Sequence, residues 1–234
     1  MKTNINTFFT ILIVSIAFLS FCKPDNNNPE NKISNTTKGN LVKTFENNYT
    51  EVIKVSLNAG EELSEHEGEV RLIYSLTDSS LEWNENGKNL GTKTWKKGEL
   101  HFHESGKHSV KNNGSTKAEW LVFARKNETL PKCEELIEKD VNSLEGSFKL
   151  QLFENDLFRA TEIKLAPNES IPMHEGINRI IYALSDYKIL YNSSKEGEIE
   201  KAFKTGDTHW HTCEKHSLKN LGNSEAHYLI ISFK

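Results

Sequence analysis

The chain has 234 residues, 36% of them apolar and 26% charged, with a net charge of -4, enough for one large or two small globular domains. No block of Lys or Arg stands out, which argues against a nucleic-acid partner. There is no P-loop, no Gly-rich dinucleotide fingerprint and no Ser-His-Asp signature, so any chemistry must rest on other residues.

In chain order, the first element is an export signal over 1–22. Lys2 precedes an apolar run, Phe8 to Phe21, whose fourteen residues fall short of the roughly 20 needed to cross a bilayer. The run ends in Leu19-Ser20-Phe21-Cys22, which resembles a bacterial lipobox. That resemblance implies lipidation at Cys22, with Phe21 standing where a small residue is usual. Residues 23–40 are polar and rich in Asn, with Ile33 the one apolar side chain, and they read as a flexible tether. The sequence therefore predicts an exported body, lipid-anchored to a bacterial cell membrane.

The rest of the chain is duplicated. A shift of 108 positions aligns Glu51–Lys126 with Arg159–Lys234 without a gap, with 25 identities in 76 positions. His66-Glu67-Gly68 matches His174-Glu175-Gly176, and the stretch from Gly98 to Gly114 matches that from Gly206 to Gly222. Each copy reads as β. The segments 50–57 and 160–166 alternate apolar and polar residues, whereas 70–76, 118–126, 179–184 and 226–234 are apolar runs rich in β-formers. Asn86-Gly87 suits a tight hairpin. The predicted domains are 41–127 and 147–234, joined by a linker over 128–146. There Pro131, the spacing of Cys133, Leu136, Ile137, Val141 and Leu144, and Gly146 predict one amphipathic helix.

Gly60, His66, Gly98, Gly106, His108 and Asn112 in the first copy, with His174, Gly206, His216 and Asn220 in the second, follow the two motifs of the cupin superfamily, which each copy resembles. The resemblance covers about 41–127 and 147–234. It implies an all-β fold of two tandem jelly-roll β-barrels joined by a short α-helix. It also implies a metal held by two His and a Glu of the first motif and a His of the second. The second His position here is Gly68 or Gly176, and the Glu position falls on Leu72 or Ile73 and on Ile180 or Ile181.

The remaining histidines leave two readings open. His101 and His103, like His209 and His211, stand two apart and share a face of their strands. Turned inward, they would join His66 and His108, or His174 and His216, in a nitrogen-rich site for a divalent transition metal such as Zn, Fe, Mn, Ni or Cu. Strand parity predicts the reverse, since Phe102 and Trp210 on the alternate face would take the interior. Tyr74 and Tyr182 share parity with His66 and His174 and read equally as pocket residues or as core aromatics, whereas Arg71 and Arg179 have the opposite parity and read as outer-face ion pairs, with a clamp for an anionic ligand as the alternative. The ligand-binding candidates are thus His66, Tyr74, His108, His174, Tyr182 and His216. Glu67 and Glu175 read as loop carboxylates or as general acids, and Cys133 and Cys213 as a disulfide or two free thiols. Two functions follow: a module binding a small molecule in the barrels, or a metal-dependent enzyme of dioxygenase, isomerase or decarboxylase type. A homodimer is left open.

Overall fold

A computed structural model describes residues 39–133 and 139–234. The signal segment, Cys22 and all of the tether except Gly39 and Asn40 lie outside the described residues.

The first copy contains β1 (Asn40–Glu46), β2 (Thr50–Leu57), β3 (Glu62–Gly68), β4 (Val70–Ser75), β5 (Ser79–Glu85), β6 (Lys88–Trp95), β7 (Leu100–His103), β8 (Gly106–Asn112) and β9 (Ala118–Arg125). The second contains β10 (Lys149–Glu154), β11 (Phe158–Leu165), β12 (Ser170–Gly176), β13 (Arg179–Ala183), β14 (Tyr187–Ser193), β15 (Gly197–Phe203), β16 (Thr208–His211), β17 (Glu214–Asn220) and β18 (Ala226–Phe233). Each copy makes a five-stranded and a four-stranded antiparallel sheet. The orders are β1-β2-β9-β4-β7 with β3-β8-β5-β6, and β10-β11-β18-β13-β16 with β12-β17-β14-β15. Register repeats as well: Ile73 faces Val122 across β4 and β9, and Ile181 faces Ile230 across β13 and β18. The fold is the all-β duplicated jelly roll that the family resemblance implied. Asn86 and Gly87, both at positive φ, close the β5–β6 hairpin as predicted.

Three apolar cores hold the molecule together. One fills the first barrel around Leu81, Trp83, Trp95 and Trp120; a second fills the other barrel around Ile163, Ile171, Tyr187 and Tyr228. The third lies between the barrels, where Leu72, Phe123, Phe158, Ile180, Ile231 and Phe233 are all within 1% of full burial. Both five-stranded sheets are thus apolar on both faces, which is why β4, β9, β13 and β18 read as continuous apolar runs instead of alternating ones. Burying each such large side chain contributes roughly 1.5–3 kcal/mol.

Over 139–146 the linker differs from the sequence expectation. Among the described residues there is no α-helix; Val141–Ser143 forms a single 3-10 turn, capped by Asp140, whose Oδ1 accepts from the Asn142 and Ser143 amides at 2.9 and 3.2 Å. The part of the predicted helix at 134–138 lies outside the described residues. On either side the chain is tied to the second copy. Cys133 forms a disulfide with Cys213, with Cα atoms 5.4 Å apart, and the Glu175 amide donates to the Lys139 carbonyl at 2.8 Å. Backbone groups recruited by a neighbouring strand are no longer free to pair within a helix. The disulfide spans a sequence separation of 80 residues. Reducing it, or making Cys133→Ser, is expected to cost about 2–4 kcal/mol. A urea midpoint unchanged by reductant would contradict this.

Candidate functional site

The second barrel is organised around Arg179. Its strand, β13, pairs on one side with β18 and on the other with β16, which carries His209 and His211. Arg179 is 3% exposed. Its Nη1 donates to the carbonyls of Ile177 (3.0 Å) and Thr212 (3.3 Å), and its Nη2 donates to Glu214 Oε1 at 3.0 Å. The same carboxylate oxygen accepts from the Tyr191 hydroxyl at 2.6 Å and lies 2.8 Å from His211 Nδ1. Burial alone would raise the Glu214 pKa; the hydrogen bonds from His211 and Tyr191 and the Arg179 charge outweigh it and hold the carboxyl well below its usual range. Arg179 Nη2 also lies 3.5 Å from both ring nitrogens of His216. Burial, then that guanidinium, push His216 down to about 2. The cavity left here is about 50 Å³ and is lined by His174, His209, His211 and His216.

The first barrel repeats the frame without the carboxylate. Arg71, 2% exposed, donates from Nη1 to the carbonyls of Glu69 (2.9 Å) and Glu104 (3.1 Å). Gly106 stands where the second copy has Glu214, 108 residues on. The ring of His66 lies 4.2 Å from that of His108, and Trp83 stacks on His108 at 5.2 Å. Burial, followed by the Arg71 charge, brings His108 down to about 4. His101 and His103 sit on the far side of Trp83, stacked on Trp95 (4.1 Å) and against Trp83 (4.9 Å). A cavity of about 550 Å³ opens beside His66, Arg71, Trp83 and His108, with Ile53, Ile73, Val110, Trp120 and Val122 among its walls. That volume lies within the range of ligand pockets.

No family model and no curated relative matches the sequence. Solved structures do match in fold. AerE from Microcystis aeruginosa is 15% identical with a TM-score of 0.62, over 86% of this chain and 95% of its own. The oxalate decarboxylase of Lactobacillus farciminis, in complex with formate, is 12% identical with a TM-score of 0.60, over 83% of this chain and 80% of its own. That of Bacillus subtilis, a protein with Mn(II) centres, is 11% identical with a TM-score of 0.58, over 82% and 74%. The fold is the cupin fold.

Within that fold, the glycines at the second motif-histidine position acquire a physical role. A Cβ on Gly68 would lie 2.6 Å from Arg71 Nη1 and 2.7 Å from His108 Cε1, and one on Gly176 would crowd the Arg179 guanidinium. The space that a second cupin histidine would need is taken by an arginine. This decides the fit of a metal. Among the described residues no three His, Cys, Asp or Glu side chains converge on one point. In the second barrel the best acceptor, Glu214, is already bound by three side chains, and a permanent cation touches His216. At about 4 Å and an effective dielectric near 20, that cation opposes each unit of metal charge by roughly 4 kcal/mol. In the first barrel Trp83 divides the four imidazoles into two pairs. Neither donor set fits a resident metal.

The sequence-predicted residues are redistributed accordingly. His101, His103, His209 and His211 face the barrel interiors, against the parity expectation. Phe102 and Trp210 do not need the interior, because the opposite face is buried too, in the core between the barrels. Tyr74 and Tyr182, named as pocket candidates, take the core reading and lie between the barrels, and Arg71 and Arg179 lie within the barrels instead of on the outer face that parity favoured. Parity failed because it was counted from His66 across the β3–β4 turn, and these strands belong to different sheets. His66, His108, His174 and His216 do line the cavities. Glu67 and Glu175 stand at the rims beside Lys107 (3.9 Å) and Lys215 (3.5 Å). Asn112 and Asn220, fully buried, are fasteners: Asn112 Nδ2 donates to the carbonyls of Leu57 (3.0 Å) and Thr116 (2.8 Å), and Asn220 Nδ2 to those of Leu165 and Ser224. Sequence reasoning missed Glu214, Tyr191 and Trp83. The available signal was the exchange of Gly106 for Glu214 directly before the shared Lys-His pair.

Proposed function

We propose that the protein is a lipid-anchored binding module that holds a small molecule in the cavity of its first barrel. The observation that carries this is the asymmetry between the copies: about 550 Å³ of mixed apolar and polar cavity in one, about 50 Å³ in the other. In the second barrel Glu214 satisfies Arg179, Tyr191 and His211 from within, and that barrel has a structural role, keeping the first rigid through the shared core. Trp83 and Trp120 line the larger cavity, so ligand entry should alter their fluorescence. A screen of neutral, anionic and cationic small molecules against the full chain tests the reading by that signal. A saturable, one-to-one response supports it. No response from any class, or near-stoichiometric metal in protein purified without chelator, would overturn it in favour of the metal-dependent enzyme.

The anchor is the second half of the proposal. The Leu19–Cys22 motif supports it, and so does the Cys133–Cys213 disulfide, because such bonds persist outside reducing compartments. Cys22→Ala is expected to move the protein from the membrane fraction to the soluble one. Unchanged sedimentation with membranes would exclude lipidation at that residue.

A further inference from the structure

We infer that the first barrel binds an external carboxylate on Arg71 and Trp83, at the place that Glu214 fills in the second barrel. This deepens the binding reading above and rests on it.

The argument is an internal comparison. Glu214 accepts from Arg179 and Tyr191 and pairs with His211. Moved by 108 residues, those three become Arg71, Trp83 and His103, and Glu214 becomes Gly106. Arg71 and Trp83 still offer N–H donors at the larger cavity, His103 lies on the far side of Trp83, and the acceptor is gone. Two nitrogens now lack a partner: Arg71 Nη2 and Trp83 Nε1 are buried and make no hydrogen bond among the described residues. They are the counterparts of Arg179 Nη2 and the Tyr191 hydroxyl. A buried N–H left unpaired has lost its water and gained nothing, the more so where it carries charge, so both atoms call for an acceptor.

The chain has no carboxylate of its own for this place. Gly106 has φ +150°, and a Cβ there would lie 2.9 Å from Asn86 Oδ1, so a side chain at this position would be strained. The acidic residues around the cavity are engaged elsewhere. Glu51 pairs with Lys43 at 3.0 Å, Glu67 with Lys107 at 3.9 Å, and Glu69 gives Arg71 only its main-chain oxygen. Glu85, at the end of β5, adds a favourable charge to Arg71 without a hydrogen bond among the described residues. Arg71 Nη1 is spent on two main-chain carbonyls, so Nη2 is the nitrogen left to donate, and its positive charge favours a carboxylate over a neutral alcohol or amide oxygen. The walls at Ile53, Ile73, Val110 and Trp120 set the rest of the ligand: an acid with an apolar or aromatic body.

Titration of the full chain with benzoate and phenylacetate, followed by calorimetry and tryptophan fluorescence, tests this, with benzamide and inorganic phosphate as controls. One site per chain is expected for the acids. Arg71→Gln should weaken it about tenfold or more, and benzamide should bind at least tenfold more weakly than benzoate. Arg71→Gln also removes two backbone contacts, so a second variant avoids that site. Glu214→Gly should create a second site sized for propionate, raising the stoichiometry for that probe from one to two. Benzamide or phosphate binding as tightly as benzoate, with no dependence on Arg71, would overturn the carboxylate inference and leave the binding module standing. Failure of both acids to bind, together with one or no propionate site in Glu214→Gly, would overturn it as well, while the neutral and cationic ligands of the fluorescence screen decide the module separately.

Discussion

Lowering the pH from 7 to 5 is expected to remove about 4 kcal/mol of stability through two imidazoles alone, His108 and His216. Burial and the neighbouring guanidinium hold them at about 4 and about 2 in the folded protein, against 6.5 for a free histidine. In that window the unfolded chain takes up protons that the folded one refuses. Stability is therefore complete above pH 6.5 and declines as the pH falls, at about 1.4 kcal/mol per unit for each neutral imidazole. His103 and His209, both near 3 through burial first and neighbouring charges second, act in the same sense. The decline levels off only as the folded values themselves are reached. Denaturant unfolding at pH 7.5, 6 and 5 measures it. Equal midpoints at the three would show that these rings are solvated, contrary to the packing described.

The second large effect is expected from Glu214→Gln. The pair it forms with Arg179 is almost fully buried, with side chains 4% and 5% exposed. Removing the charge of one partner leaves a guanidinium in the interior with its counter-charge gone, at a cost of about 3–5 kcal/mol. Over a chain of this length that corresponds to roughly 10 °C in Tm. The loss should be specific to the uncompensated charge. Replacing both partners by apolar residues, Arg179→Met with Glu214→Leu, is expected to cost less than either single change, because no buried charge remains. If the double variant is as unstable as the sum of the singles, the pair acts through packing and not through charge.

The sequence carried the architecture further than it carried the site, for reasons visible in single residues. A gapless shift of 108 positions determined the strands of one copy from the other, and β2 and β11, β5 and β14, and β9 and β18 obey it residue for residue. The site was obscured by an assumption about faces. Alternation tells inside from outside only when one face meets water. Here Phe102 and Trp210 satisfy a second apolar layer, leaving His101, His103, His209 and His211 the interior. The end of the linker differs for another reason: over 139–146 the apolar spacing of Val141 and Leu144 is helical, but Lys139 pairs with Glu175 and Asp140 caps a 3-10 turn, so tertiary pairing overrides local propensity there. Glu214 was hidden because one residue among many differences between the copies says nothing until Arg179 and Tyr191 are seen to converge on it.

The two copies meet through matching strands. Phe102 of the first copy stacks on Phe153 of the second at 5.8 Å; Trp210, its counterpart 108 residues on, stacks on Tyr49 of the first at 5.6 Å. The match is approximate, since the counterpart of Phe153 is Phe45 and not Tyr49, but the arrangement resembles an isologous interface, the sort that two identical chains make about a two-fold axis. A chain holding only one copy would expose that face and would have to find a second molecule to cover it. The duplicated chain is in this sense a dimer joined end to end. Fusion freed its two halves from the requirement to be identical, so one could enclose a carboxylate of its own while the other kept its cavity open.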